Sequence, residues 1–383
     1  MRILYGVQGT GNGHLSRARL IAEALSQTDL NVDYLLSGRE RDRYFDMEIF
    51  RDFQCLPGLS FATKRGKIKR TATVFGNKWS RFIRDVQALE VDQYDLIITD
   101  YEPISAWAAR KAKRFAIGIG HQYAFGPNVP QVKGVKTEKL VMKWFAPVQA
   151  SIGLHWHPYT ANTLPPVVDT QLDASKVRED ATKVLVYLPF EDPEKVEQLL
   201  RRFPRYTFYI YGHYVMDERS DNIMRRATSK TGFQLDLQES SAVIANAGFA
   251  LSSEALQLGK RLLVKAVSGQ IEQESNVLAL KDLNLAQSFS QLSTYIIEHF
   301  LRFGKASQQT YPNVAEHIAA WVSDHRALLQ TEKRPLIDQS IQRLSKELWA
   351  ACSTNARKSE AFQRGHDIIG HEEIETGKIL TSS

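Results

Sequence analysis

Residues 247–280 read AGFALSSEALQLGKRLLVKAVSGQIEQESNVLAL, and the fold follows from how this stretch is punctuated. Before it, Ala242–Asn246 has the length and apolar character of a buried strand. Gly248 interrupts that run, a helical pattern over Ser252–Leu258 follows, Gly259 ends it, and Arg261–Lys265 is a second strand. Strand, glycine turn, helix and strand make the repeating unit of a parallel sheet covered by helices. The turn also carries chemistry. A helix start presents unpaired amides and a positive dipole end, so Gly248 and Phe249, with the hydroxyls of Ser252 and Ser253, suit a diphosphate. Glu254 has two oxygens with which to hold both hydroxyls of an adjoining ribose. The Ser268–Gln273 loop follows the next strand and overhangs the same crevice. There Gln270, Glu272 and Gln273 offer the several donors and acceptors that a polyhydroxylated sugar needs. A plain strand–helix–strand with polar loops is the competing reading.

The alternation extends both ways. Upstream, Arg2–Val7, Val32–Leu36, Tyr94–Thr99 and Phe115–Ile119 read as strands, with helices over Leu15–Ser26 and Ser105–Lys113. His155–Val168 holds Pro158, Pro165 and Pro166 without a clear period and reads as a linker that hinges two halves. Alternation then restarts with Lys183–Leu188, Pro193–Phe203 and Tyr206–Tyr211. The expected organisation is therefore α/β, with two Rossmann-like parallel-sheet domains facing a central cleft. These are residues 1–165 for an acceptor and 166–310 for a donor, followed by a helical extension, 311–383. The stretch from Ser353 is polar and reads as a poorly ordered tail.

Composition bounds the alternatives. At 383 residues the chain exceeds ordinary single-domain size, and 43% hydrophobic with 24% charged residues is normal for a globular protein. No apolar run approaches the ~20 residues of a membrane span. The opening residues enter a strand without a secretory cleavage pattern. Together with only two cysteines, Cys55 and Cys352, this gives a cytoplasmic expectation and no disulfide framework. The net charge of +6 is uneven: residues 1–150 carry 23 Lys and Arg against 15 Asp and Glu, the remainder 26 against 28. Its densest part, Lys64–Arg84, interleaves basic residues with Trp79 and Phe82. Peripheral contact with an anionic membrane at the inner face of the cell, an anionic acceptor, nucleic acid (disfavoured here) or a solvated helix face would each produce it.

The first strand runs into Gly9-Thr10-Gly11-Asn12-Gly13-His14 and then a helix. The spacing is not G-x-G-x-x-G, and Asp33 lies at the start of its strand rather than the carboxyl end, so a dinucleotide site is disfavoured. Gly11, Asn12 and Gly13 are candidates for holding an acceptor, and His14 would point into the cleft. Asp100 ends a buried strand, LIITD, whose carboxyl end converges on the same crevice. An Asp beside a His fixes its tautomer and suits it to take a proton from a hydroxyl. An N-cap role for Asp100 is the structural alternative. His121 ends another strand and is a candidate for the acceptor side.

These blocks carry a resemblance. AGFALSSEALQLGKRLLVKAVSGQIEQESNVLAL is similar to the donor-binding block of GT-B glycosyltransferases, nearest the family-28 type that includes the peptidoglycan-precursor N-acetylglucosaminyltransferase. GTGNGHLSRARLIAEAL and LIITDYEPISAWAA resemble that fold's opening block and its Asp-bearing strand. The likeness covers most of residues 1–285. It implies a metal-independent, inverting transfer from a nucleotide sugar, usually a UDP-sugar, to a hydroxyl acceptor, lipid-linked in some members, with a role in envelope polysaccharide or glycolipid synthesis and no resident cofactor. It also implies that Phe233 and Gln234 hold the base. Ala247-Gly248 replaces the usual Gly-Gly pair, and an Asp-Gln pair is missing near Gln270–Gln273. An epimerase or hydrolase of the same fold, or a non-catalytic binding module, are the rival functions.

Overall fold

The computed structural model describes residues 1–59, 63–64, 67–68, 79–126, 128–132, 144–172, 177–212 and 214–355. The first half comprises β1 (Arg2–Gln8), α1 (Asn12–Ser26), β2 (Asn31–Ser37), β3 (Gln54–Leu56), α2 (Trp79–Ala88), β4 (Leu96–Asp100), α3 (Pro103–Lys111), β5 (Ala116–Gly120), β6 (Ala150–Leu154) and β7 (Thr163–Leu164). All seven strands run parallel, in the order β3-β2-β1-β4-β5-β6-β7. The strands β4 and β5 are buried at every residue, which is why they read as continuous apolar runs rather than alternating ones. Strand order reverses between β1 and β4, and Val7 pairs with Asp100. The glycine loop after β1 and the carboxyl end of β4 therefore share one crevice.

The second half comprises β8 (Asp180–Tyr187), α4 (Pro193–Leu200), β9 (Thr207–Tyr211), β10 (Glu218–Ser220), β11 (Ile223–Arg226), α5 (Lys230–Glu239), β12 (Ser240–Asn246), α6 (Phe249–Gln257), β13 (Arg261–Lys265), α7 (Ile271–Asp282), β14 (Gln287–Ser288) and α8 (Thr294–Phe303). Its order is β10-β11-β9-β8-β12-β13-β14, with only the edge strand β10 antiparallel. Here the order reverses between β8 and β12, so the crevice opens at Asn246–Gly248.

The proline-bearing segment is not wholly a linker, because Thr163–Leu164 pairs with Gly153–Leu154 as the last strand of the first sheet. Pro165 and Pro166 follow at that edge, where a missing N–H costs nothing. The extension then crosses back: α9 (Val314–Asp324), α10 (Arg326–Gln330) and α11 (Arg334–Ala351) pack on the first half. Ile318, Trp321 and Val322 join the core built on Leu15, Ile21 and Leu25 of α1. Ser345 Oγ and Trp349 Nε1 both donate to the Thr163 carbonyl at 2.7 Å, and Arg326 makes two 2.8 Å bonds to Asp29. The polar tail beyond 355 and the side chains of 60–78, most of the basic run, lie outside the described residues.

Candidate active site

On the first half the site is built by α1 and the end of β4. His14 Nδ1 lies 2.8 Å from Asp100 Oδ1. Arg17, one turn along α1, donates through Nε to Asp100 Oδ2 at 2.8 Å and through Nη2 to Oδ1. Its Nη2 is also 3.1 Å from His14 Nδ1. Asp100 and Arg17 are buried, whereas the His14 side chain keeps 15% exposure. Burial alone would raise the Asp100 carboxyl, but Arg17 and His14 outweigh it and hold the carboxyl below its ordinary value. Asp100 is not the N-cap of α3. Glu102 has that role, accepting from the Ile104 and Ser105 amides at 2.8 and 2.6 Å. The chain reaches it through Tyr101 in the left-handed region, φ 55°, which leaves Asp100 facing His14. Arg17 was not among the sequence candidates, although its position three residues after His14 puts both on one helix face.

On the second half, α6 starts at Phe249, three residues earlier than the apolar pattern indicates. Ser252 and Ser253 therefore fall past its first three residues and point inward, both fully buried. Ser253 accepts from Trp156 Nε1 at 2.9 Å and donates to the Phe249 carbonyl at 2.7 Å, while Ser252 Oγ meets no partner among the described residues. The Phe249 ring stacks on His121, 3.9 Å between centroids and 8° from parallel. What α6 offers the cleft is its uncapped amide end behind Gly248, beside which a Cβ would meet nothing within 4 Å. Gly269, in the left-handed region at φ +79°, likewise faces open space, and the buried Oε1 of Gln270 beside it lacks a partner among the described residues.

Glu254 is part-exposed and has no hydrogen-bond or ion-pair partner among the described residues. Burial and the neighbouring Asp169 push its carboxyl up to about 7, against a pull from Lys230. Gln234 Nε2 bonds Asp169 at 3.3 Å, so Gln234 borders the same spot. Phe233 packs edge-on against Tyr187 and Tyr211. Gln273 accepts from the Val267 amide at 3.0 Å and holds the loop rather than facing outward.

The halves meet over the site. A Cβ on Gly13 would come within 3.3 Å of the Ala250 Cβ, so the starts of α1 and α6 abut. Gly11 caps α1 with no side chain, and Arg39 reaches Thr10 O at 3.0 Å and Asn12 Oδ1 at 3.3 Å. Gln122 spans the cleft, 2.8 Å from Glu272 Oε2 and 3.4 Å from His14 Nε2. His121 is buried, with Nδ1 2.8 Å from the Leu154 carbonyl and Nε2 2.6 Å from Asn276 Oδ1. Neither ring nitrogen is open to an acceptor, and His121 joins the two halves instead. Among the described residues no group of three or more His, Cys, Asp or Glu is placed to hold a metal ion, and no helix is long and apolar enough to cross a membrane.

Two Rossmann-like domains, facing each other over crevices at their strand ends, form the GT-B architecture. A family model bears on residues 1–303: the chain belongs to Glycosyl transferase family 1 and is a transferase. That match carries the glycosyltransferase membership without the narrower family-28 affiliation. Among solved structures the chain is similar to UGT89C1 of Arabidopsis thaliana complexed with UDP, at TM-score 0.55 and 11% identity, covering 91% of this chain and 99% of that one. The glycosyltransferase SnogD from Streptomyces nogalater (0.50, 13%, 91% and 99%) and SsfS6 of Streptomyces sp. SF2575 (0.51, 13%, 91% and 96%) share the fold. A search of curated proteins returns no match.

Proposed function

We propose that the protein transfers a sugar from a nucleoside-diphosphate sugar, a UDP-sugar in the first instance, to an acceptor hydroxyl in one inverting displacement. The observation that carries this reading is the empty space beside Gly248, at an uncapped helix start, six residues before a carboxylate with no partner among the described residues. A diphosphate fits the amides there, and Glu254 fits the ribose. Gln270 and Glu272, at the start of α7, fit the sugar; UDP bound to a structure of similar fold supports uracil as the base.

His14 is the proposed base. With Nδ1 donating to Asp100, Nε2 keeps its lone pair toward the cleft and takes the acceptor proton. The acceptor oxygen then bonds to the anomeric carbon from the face opposite the diphosphate, the bond to the diphosphate breaks, and the configuration inverts. Charge developing on the leaving group meets the α6 amide end, which stabilises it without requiring a metal. Outside the site, α2 exposes Trp79 and Ile83 beside Arg81 and Arg84, which supports peripheral contact with an anionic membrane.

Thermal shift with UDP tests the donor site: ligand at 100 times its Kd adds about 2.7 kcal/mol to the wild type. Glu254→Ala should lose that gain and His14→Ala keep it, while His14→Ala lowers turnover about 10²- to 10⁴-fold. Equal UDP stabilisation of the Glu254 variant and the wild type sinks the donor assignment. Unchanged turnover in the His14 variant removes it as base.

A further inference from the structure

Beside Gln122 the first half carries an open cleft of about 760 Å³. Tyr101, Tyr123, Phe125 and Trp144 give it aromatic walls, and Ile271 of the second half touches its rim. Because Gln122 also lies 3.4 Å from His14 Nε2, the cleft adjoins the proposed base. Its lining holds one formal charge among the described residues, Arg110. The Arg110 guanidinium lies over the Trp107 and Trp144 rings, 5.3 and 4.6 Å from their centroids. The two indoles are themselves stacked, 24° from parallel. Stacking fixes the plane of the fork and leaves its N–H edge unused, and no carboxylate among the described residues pairs with it. A solvent-exposed guanidinium edge, stacked on two indoles at the rim of an aromatic cleft with no acid in its described lining, is the complement of an apolar body bearing one anionic group.

We propose that this cleft is the acceptor site, and that Arg110 selects an acceptor with an apolar body, an anionic group and a free hydroxyl. The proposal rests on the transferase reading and adds the acceptor's chemical class. The acceptor hydroxyl falls on the His14 side, beside Gln122, and Arg110 suits a carboxylate or phosphate. Two sources share that chemistry, a free aromatic acid and a lipid phosphate.

Calorimetric titration of the full chain distinguishes them with two matched pairs: 6-hydroxy-2-naphthoate against its methyl ester, and decyl phosphate against decanol. In at least one pair the anion should bind the wild type tenfold or more tightly than its neutral twin. Arg110→Gln should erase that advantage while leaving the neutral twin's affinity within twofold, which also shows the cleft intact. A preference confined to the first pair assigns an aromatic acid, and one confined to the second assigns a lipid phosphate. Equal binding within both pairs overturns the proposal, as does an Arg110→Gln variant that weakens both members of a pair alike. Neither donor nor turnover enters this measurement, so its failure is separable from failure of the donor assignment.

Discussion

Arg17 gives Asp100 a second partner, and that changes what each substitution at the site should do. Both groups are buried, so removing Arg17 leaves the carboxylate without its permanent countercharge, with only His14 beside it. Arg17→Leu should cost about 3–5 kcal/mol in urea unfolding, and Asp100→Asn a similar amount, whatever happens to turnover. Asp100 is held below its ordinary value, so the stability it contributes is present above the ordinary carboxylate range and fades as pH falls through the lowered value. Glu254 has the opposite sign. The folded chain keeps its proton up to about 7, while the unfolded chain releases it near 4.5. Stability from that proton is full below about 4.5 and lost as pH rises through 7. Glu254→Gln should therefore stabilise the protein at pH 8, on the order of 3 kcal/mol from a shift of this size, while weakening UDP binding. In the wild type, UDP affinity should rise between pH 6 and 8 as the carboxylate forms, and the Gln variant should lack that Glu254-dependent rise. Identical profiles would detach Glu254 from the ligand.

Among the elements, the start of α6 allows the sharpest separation of folding from binding. Gly248 has an ordinary extended backbone, φ −73° and ψ 137°, and a methyl group there touches nothing. Gly248→Ala should leave the unfolding free energy within about 0.5 kcal/mol and still weaken UDP tenfold or more, because the methyl fills the proposed diphosphate space. Gly6→Ala is the contrast: a Cβ there would lie 2.1 Å from Ser105 Oγ, so stability itself should fall. The strands of this site were legible because buried parallel strands are continuous apolar runs, and Asp100 was legible because it ends one. The α6 boundary was not, since Phe249-Ala250-Leu251 reads equally as strand or helix and only packing on His121 and Trp156 decides it. Gln273 and His121 carry side chains suited to ligands, yet tertiary contacts take them up; no local pattern records such long-range partners. Arg110 lay hidden for the same reason, being unremarkable until Trp144 folds over it.

Across the whole molecule, the expected two-domain layout omitted one connection. The apolar face of α11, including Ile337, Ile341, Leu344 and Leu348, is buried in the core that runs beneath the first sheet. A chain ending at Glu332 should lose on the order of 5 kcal/mol or more, since each such side chain contributes about 1.5–3 kcal/mol when buried. Urea denaturation of that truncation checks it, and a midpoint equal to that of the full chain would show that α11 is dispensable. The proline-bearing segment read as a hinge because its seventh strand is two residues long, too short to leave a periodic trace.

The return of α11 to the Thr163 carbonyl has a practical corollary for anyone recombining such enzymes. A swap at the midpoint of the chain would graft a foreign C-terminal extension onto the native N-terminal half, separating Trp349 and Ser345 from the backbone oxygen they share. A working chimera must exchange the middle third alone and keep both outer segments from one parent.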